Sequence, residues 1–356
     1  MKRLLVALCL LMLVFMLTCC TGFAENGDDE AVPEEETKAE EAEEPEETKT
    51  ITISMVGDMI FHGTVEYFMK KHGDAYVFEG YGPLMKKSDI VLGNLETSIS
   101  KRGKPMEDKQ FTFRAKPEVL KVLRENNFSA VSIANNHVLD FGTDAFLDTL
   151  DNLKKNEILY AGGGRNREEA EKGAIIEKNG IKVGFLAFTK VVPVVDWYAG
   201  KNKPGIVGAY KVHEKEFVKA IQEKKKHCDV LVVSVHWGQE GTTTIRHEEK
   251  YIGRCMIDAG ADIIMGHHPH VVQGIEIYKD KPIFYSLGNF IFTTSRTHIN
   301  NKTIMANVVV DQDGNVLDIH VIPGTIANGK PTPMEGVERD NFIKHLNNLN
   351  VNYVLH

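Results

Sequence analysis

Cysteine is scarce and poorly placed for sulfur chemistry: of five in 356 residues, Cys9, Cys19 and Cys20 fall in the first twenty, and only Cys228 and Cys255 lie beyond. Neither belongs to a CxxC pair or a Cys/His cluster. That excludes a thiolate zinc site and a dithiol redox motif, and leaves a packed thiol as the reading for each, with one disulfide as the alternative. No apolar run reaches the roughly 20 residues of a membrane-spanning helix; the longest, Leu4 to Leu17, stops short. No internal repeat is present. An excess of one charge is also missing from most of the chain. Of 42 basic and 50 acidic residues, four and 13 lie in the first 50, leaving 38 against 37 in the rest. That near-neutral balance gives no reason to expect a nucleic-acid partner.

The two ends of that division read differently. Met1-Lys2-Arg3 followed by Leu4 to Leu17 has the charged start and short apolar run of an export signal. Leu17-Thr18-Cys19-Cys20 resembles the lipobox of bacterial lipoproteins, with Cys20 as the lipidated residue. Gly22-Phe23-Ala24 offers a rival cleavage site, which would give a secreted chain instead. Residues 1–24 are therefore expected to be a signal peptide, and the mature protein to be anchored in the cell membrane on its extracytoplasmic side. Residues 25–50 are Glu-rich with almost no apolar side chains, so they cannot bury enough surface to offset their ordering entropy. They are expected to form an acidic, disordered tether.

From Thr50 onward, apolar strands alternate with amphipathic helices, and polar turns follow the strands. Thr50 to Val56 leads into Gly57-Asp58, Asp89 to Leu92 into Gly93-Asn94-Leu95-Glu96, and Phe128 to Ile133 into Ala134-Asn135-Asn136-His137. Asp229 to Val235 leads into His236-Trp237-Gly238, and Ala261 to Met265 into Gly266-His267-His268-Pro269-His270. Helices are expected over 117–126, 144–156, 213–226 and 248–259 from their three- and four-residue apolar spacing. Such alternation predicts an α/β fold with a substantially parallel sheet, in which ligands collect at the carboxyl ends of strands. Towards the end, 304–310 and 316–322 flank Gln312-Asp313-Gly314 as a hairpin, 324–336 reads as loop, and 341–349 as a closing helix. The expected division is a main domain over 51–300, with 301–356 as a hairpin and helix belonging to it.

The strand ends collect Asp58, Glu96, Asn136, His236, His268 and His270: two carboxylates, an amide and three imidazoles. Such donors suit two divalent cations about 3.5–4 Å apart with a shared carboxylate, generating a hydroxide nucleophile near neutral pH. His268 and His270 have the spacing that puts alternate strand residues on one face, with His267 turned away as a supporting residue. His62 is a weak substitute ligand at the wrong spacing. Gly162-Gly163-Gly164-Arg165 before a short helical stretch could cradle an anion with backbone N–H groups, or simply turn the chain.

These turns, together with Ser286-Leu287-Gly288-Asn289-Phe290, resemble in their order the CapA family of poly-γ-glutamate capsule synthesis proteins. That family is similar to the calcineurin-like metallophosphatases. The resemblance implies a sandwich of two mixed β-sheets flanked by helices, with the C-terminal hairpin as an annex. It also implies two metal ions (zinc, manganese or iron), with Asp58, Glu96, Asn136, His236, His268 and His270 as their ligands. His137 would act on the leaving group, or else only orient Asp140. The chain departs from the metallophosphatase pattern at Ile60, where a histidine is expected two residues after Asp58, and at Glu96, where an aspartate is expected. The implied partners are an anionic surface polymer such as poly-γ-glutamate, a membrane-bound polymer synthase, and the membrane itself through the N-terminal lipid. The implied function is capsule-polymer biosynthesis, export or anchoring by a metal-dependent hydrolase or transferase. A non-catalytic scaffold and a general phosphoesterase are the alternatives.

Overall fold

Strands with one apolar face need a second layer to cover it, and this chain builds two sheets that cover each other. The computed structural model describes residues 48–294 and 299–355, which belong to one compact unit beginning at Glu47. The stretch expected to be a signal peptide, with Cys20, and nearly all of the expected tether lie outside the described residues. In chain order the main strands are β1 (Thr50–Met59), β2 (Ile90–Leu95), β3 (Phe128–Ser132), β4 (Leu159–Ala161), β5 (Ala174–Lys178), β6 (Ile181–Thr189) and β7 (Val230–His236). They continue with β8 (Ile263–His267), β9 (Ile275–Tyr278), β10 (Lys281–Phe284), β11 (Asn289–Ile291), β12 (Lys302–Asp311), β13 (Val316–Ala327) and β14 (Lys330–Pro333).

The first sheet runs β14-β13-β12-β1-β2-β3-β4, with β11 also pairing β1. Its β1-β2-β3-β4 half is parallel and its β1-β12-β13-β14 half antiparallel. The second runs β9-β10-β8-β7-β6-β5, parallel at its centre and antiparallel at both edges. Both sheets are therefore mixed: the parallel expectation holds for the β1-β2-β3-β4 half of the first sheet and for the central strands of the second.

Period-two alternation explains the layering. Ile51, Ile53, Met55, Ile90, Leu92, Ile304, Ala306 and Val308 of the first sheet meet Val183, Phe185, Val230, Val232, Ile263 and Met265 of the second in one buried core. Alternate residues face outward. Val91, Phe128 and Val131 pack on Leu120, Leu123, Phe146 and Leu150 of the helices Val119–Glu125 and Gly142–Lys155. Leu231, Val233, Val235 and Ile264 pack on Phe217, Ile221, Ile252 and Met256 of Glu214–Lys225 and His247–Asp258. Each such large side chain contributes roughly 1.5–3 kcal/mol when fully buried.

Two sequence expectations change here. The stretch 324–336 is not simply loop: β13 extends to Ala327 and β14 adds an edge strand, where Pro331 and Pro333 are tolerated because an edge leaves N–H positions unpaired. The hairpin is joined to the sheet through β12, which pairs β1 from Thr50↔Asp311 to Met55↔Ala306. Among the described residues Cys228 and Cys255 are both free, as the packed reading expected.

Candidate metal centre

The carboxyl ends of β1, β2, β3, β7 and β8 converge at one rim of the sandwich. Asp58 lies near the end of β1, where pairing with both β2 and β11 slips register; such irregularities re-aim a side chain. Gly57 permits a close approach, since a Cβ there would lie 1.9 Å from the Gly288 carbonyl oxygen. The Asp58 N–H donates to that same oxygen at 3.0 Å. The Asp58 carboxylate accepts from Asn94 Nδ2 at 2.8 Å and from the His268 backbone N–H at 3.1 Å. His267 Nδ1 lies 3.0 Å from its Oδ1, and His270 Nδ1 3.3 Å from its Oδ2.

The histidine run does not work by strand alternation. β8 ends at His267, and His268 (φ 93°) and His270 (φ 57°) take left-handed backbone conformations in a turn around Pro269. Such conformations are costly for non-glycine residues and concentrate at functional sites. The turn sets the ring centroids of His268 and His270 5.8 Å apart and His268 4.8 Å from His236. Asn289 meets this group directly, its Oδ1 2.9 Å from His270 Nδ1.

After β3 the two asparagines divide their work. Asn135 turns inward: its amide donates to Asn94 Oδ1 and the Leu95 carbonyl, and its Oδ1 accepts from the His137 and Val138 N–H groups. That is a turn-forming asparagine. Asn136 Oδ1 instead lies 2.8 Å from His236 Nε2. His137 Nδ1 is held by Asp140 Oδ2 at 2.7 Å, and the Phe113 N–H donates to the same oxygen at 2.7 Å. Lys109 reaches in from the stretch before Phe113 and donates to Asp140 and to the Asn136 carbonyl, 3.1 Å from His137 Nδ1. The Phe113 ring covers the imidazole of His137 at 4.3 Å.

The electrostatics are those of a cation site. Burial would raise the Asp58 carboxyl, but His267 and His270 against it outweigh burial and hold it well below the usual carboxylate range. Burial, with the Asp58 charge added, pushes Glu96 well above that range. Burial lowers His268 to about 3, and also holds His236 well below its ordinary value. For His270, Glu96 and Asp58 overcome burial and raise the imidazole to about 9. Burial also lowers His137, against the pull of Asp140.

Glu96 tests whether a metal fits. Among the described residues, both of its carboxylate oxygens are buried without a hydrogen-bond partner; His236 Nε2 at 3.5 Å and His270 Nε2 at 3.9 Å are too far to serve. An isolated buried carboxylate is expensive, and a divalent cation removes the cost. Asp58, Glu96 and His270 form one set with ligand atoms within 4.8 Å of one another, and Glu96, His236 and His268 form a second. Glu96 is common to both, and Asn136 Oδ1 beside His236 adds a fourth donor to the second. Mixed oxygen and imidazole donors suit zinc, manganese or iron.

Several features were not anticipated. Asn94 orients Asp58 and lies 3.3 Å from His236 Nδ1, yet in sequence it is one polar residue in a turn. Lys109 and Phe113 come from an irregular stretch with no periodicity to mark them. His62 lies away from the donor set, its ring 5.9 Å from Phe113. The glycine run is not an anion cradle. Gly163–Gly164 forms a short strand, Arg165 is paired with Glu169 and Asp151, and a Cβ at Gly164 would lie 2.4 Å from the Ala170 nitrogen.

Residues 52–294 match the family model "Bacterial capsule synthesis protein PGA_cap". The "Capsule biosynthesis protein CapA" of Bacillus anthracis is 35% identical over 81% of this chain and 70% of its own length. The "PGA biosynthesis protein CapA" of Bacillus subtilis is 33% identical over 83% and 77%. Among solved structures, the NAD nucleotidase of Haemophilus influenzae covers 85% of this chain and 57% of its own at 14% identity and a TM-score of 0.43, too loose a likeness to carry an argument. The chain belongs to the bacterial capsule synthesis protein family PGA_cap.

Proposed function

We propose that this protein acts in the biosynthesis of poly-γ-glutamate or a related anionic capsule polymer, as a metal-dependent hydrolase or transferase on the outer face of the cell membrane. The observation that carries the chemistry is Glu96, a fully buried carboxylate without hydrogen bonds among the described residues, centred among three imidazoles, Asp58 and an amide oxygen. Divalent cations held there would acidify a water molecule and stabilise charge developing on a substrate oxygen.

The remaining work falls to the chain's own groups. Asp140 accepts from Nδ1–H of His137, which fixes the tautomer and leaves Nε2 as the ring nitrogen that exchanges a proton with a leaving group. Lys109 neutralises Asp140 and places a positive charge beside the reacting position, where it favours a substrate rich in carboxylates. The polymer is supported by the names of the Bacillus relatives. The extracytoplasmic location and the lipid at Cys20 rest on the N-terminal sequence.

The test is to incubate the metal-loaded protein with poly-γ-glutamate and follow chain length by gel electrophoresis and new amine ends by derivatisation. Cleavage or transfer that His236→Ala abolishes, with the thermal transition retained, is expected. Equal turnover by His236→Ala would remove the catalytic reading. A scaffold is the second reading, favoured by Ile60 standing where a metal histidine is expected. Full rescue of a capsule-deficient strain by a His268→Ala/His270→Ala variant would select it.

A further inference from the structure

The two donor sets are unequal. The second has four protein donors, Glu96, Asn136, His236 and His268, whereas the first has three, Asp58, Glu96 and His270. In the pattern this chain resembles, the fourth would be a histidine two residues after Asp58. Here that residue is Ile60, an apolar side chain only 2% exposed, which can donate nothing.

The loop after β7 supplies a replacement. His236-Trp237-Gly238-Gln239-Glu240-Gly241 leaves the strand end and crosses the His268-Pro269-His270 turn. Both its glycines are left-handed, Gly238 at φ 92° and Gly241 at φ 71°, a conformation that glycine adopts at no steric cost. Both also lie against the same proline. A Cβ on Gly238 would fall 3.0 Å from Pro269 Cγ, and the Gly241 N–H donates to the Pro269 carbonyl at 2.9 Å. Gln273 Nε2 fastens the next residue by donating to the Thr242 carbonyl at 2.9 Å. Glu240 is thus suspended between two points pinned to the histidine turn. Its carboxylate forms, with His268 and His270, a third set of ligand atoms within 4.8 Å of one another. No ion pair or hydrogen bond among the described residues holds it elsewhere. The other carboxylates of the centre are buried, while Glu240 is exposed.

We propose that Glu240 is the fourth protein donor of the first metal position, closing it from the solvent side in place of the missing histidine. This inference rests on the metal reading above and goes beyond it. Exchanging a neutral imidazole for a carboxylate places Asp58, Glu96 and Glu240 around one ion. Relative to a site completed by histidine, that donor set shifts preference towards a harder cation such as manganese.

The experiment uses the full-length chain in detergent, stripped with chelator and titrated with Mn2+ and separately with Zn2+. Bound metal is counted by elemental mass spectrometry and Mn–Mn coupling is read by electron paramagnetic resonance. Wild type is expected to take two ions. Glu240→Gln should keep one ion at wild-type affinity, bind the other at least about tenfold more weakly, and lose the coupled signal. Glu240→Asp should fall between them. Because Glu240 is exposed, the metal-free Glu240→Gln protein should melt at the wild-type temperature, so a loss of metal is not a loss of fold. His236→Ala should weaken the other ion. Two ions bound by Glu240→Gln at wild-type affinity would overturn the assignment of Glu240 and leave the metal centre standing. No metal bound by wild type would overturn both.

Discussion

Glu96 is where the cost of the site is concentrated, and a single substitution separates that cost from its purpose. With its oxygens unpaired and Asp58 beside it, its folded pKa lies well above the ordinary 4.5. The sign follows from linkage: the unfolded chain releases this proton first, so stability falls as pH rises through 4.5 towards the folded value. Glu96→Gln has no such proton to lose. In chelator at pH 7 it is expected to be more stable than wild type by about 2 kcal/mol, a rise of a few degrees in a calorimetric melt. With added Mn2+ the order should invert, because only wild type gains binding energy. A variant that melts below wild type in chelator would show that Glu96 is satisfied by protein groups. That Asp58, Glu96, Asn136, His236, His268 and His270 come together was legible in the sequence, because carboxylates, an amide and imidazoles at successive strand ends are an unusual coincidence. Lys109, Asn94 and Glu240 were not. Their residue types are common in turns, and only the three-dimensional course of their loops brings them to the centre.

The same contrast between pattern and position holds for the elements. The helix His247–Asp258 was readable from its apolar spacing, and its Ile252 and Met256 pack on the second sheet. What starts it was not. Glu249 accepts from the Arg246 backbone N–H at 3.1 Å and from its guanidinium at 2.7 and 2.9 Å, while Lys190 Nζ, itself buried, lies 3.5 Å away. Burial would raise the Glu249 carboxyl, but Arg246 and Lys190 outweigh it and hold it below its ordinary value. Its contribution is therefore complete above pH 4.5 and lost as pH falls through the depressed folded value. Glu249→Gln is expected to destabilise the protein by about 2 kcal/mol at pH 7. That deficit should shrink progressively in urea melts below pH 4.5. A deficit unchanged by acid would assign the loss to packing. The glycine run at 162–164 shows the opposite failure: a local pattern suggested chemistry, whereas close packing of Gly162 on Ala187, Gly163 on Ile133 and Phe146, and Gly164 on Ala170 explains the glycines.

At the scale of the whole molecule, the strand-and-helix alternation pointed to the class, but the partner of each strand could not be read from it. A period-two pattern states which face is apolar and says nothing about which strand lies alongside. β12 illustrates this. Nearly 250 residues after β1 in sequence, it pairs β1 from Thr50↔Asp311 to Met55↔Ala306, and its Ile304, Ala306, Val308 and Val310 lie in the core between the sheets. Removing 302–356 would strip those side chains from the core and leave Thr50 to Met55 of β1, the strand that carries Asp58, unpaired along that edge. Unpaired edges over an exposed apolar core invite aggregation. The truncated chain is therefore expected to show no cooperative thermal transition by circular dichroism and to be cut rapidly by protease. Deleting only 336–356 removes the final helix Gly336–Leu349, the buried Leu346 and the Asn350 side chain that accepts from the Ile275 N–H at 2.8 Å. That shorter deletion leaves both sheets paired, so a cooperative but lower-melting transition is expected, with metal binding retained. If instead the 302–356 deletion melted cooperatively and still bound metal, β1 to β11 would suffice for the fold, and the hairpin would be an accessory to a site that stands without it.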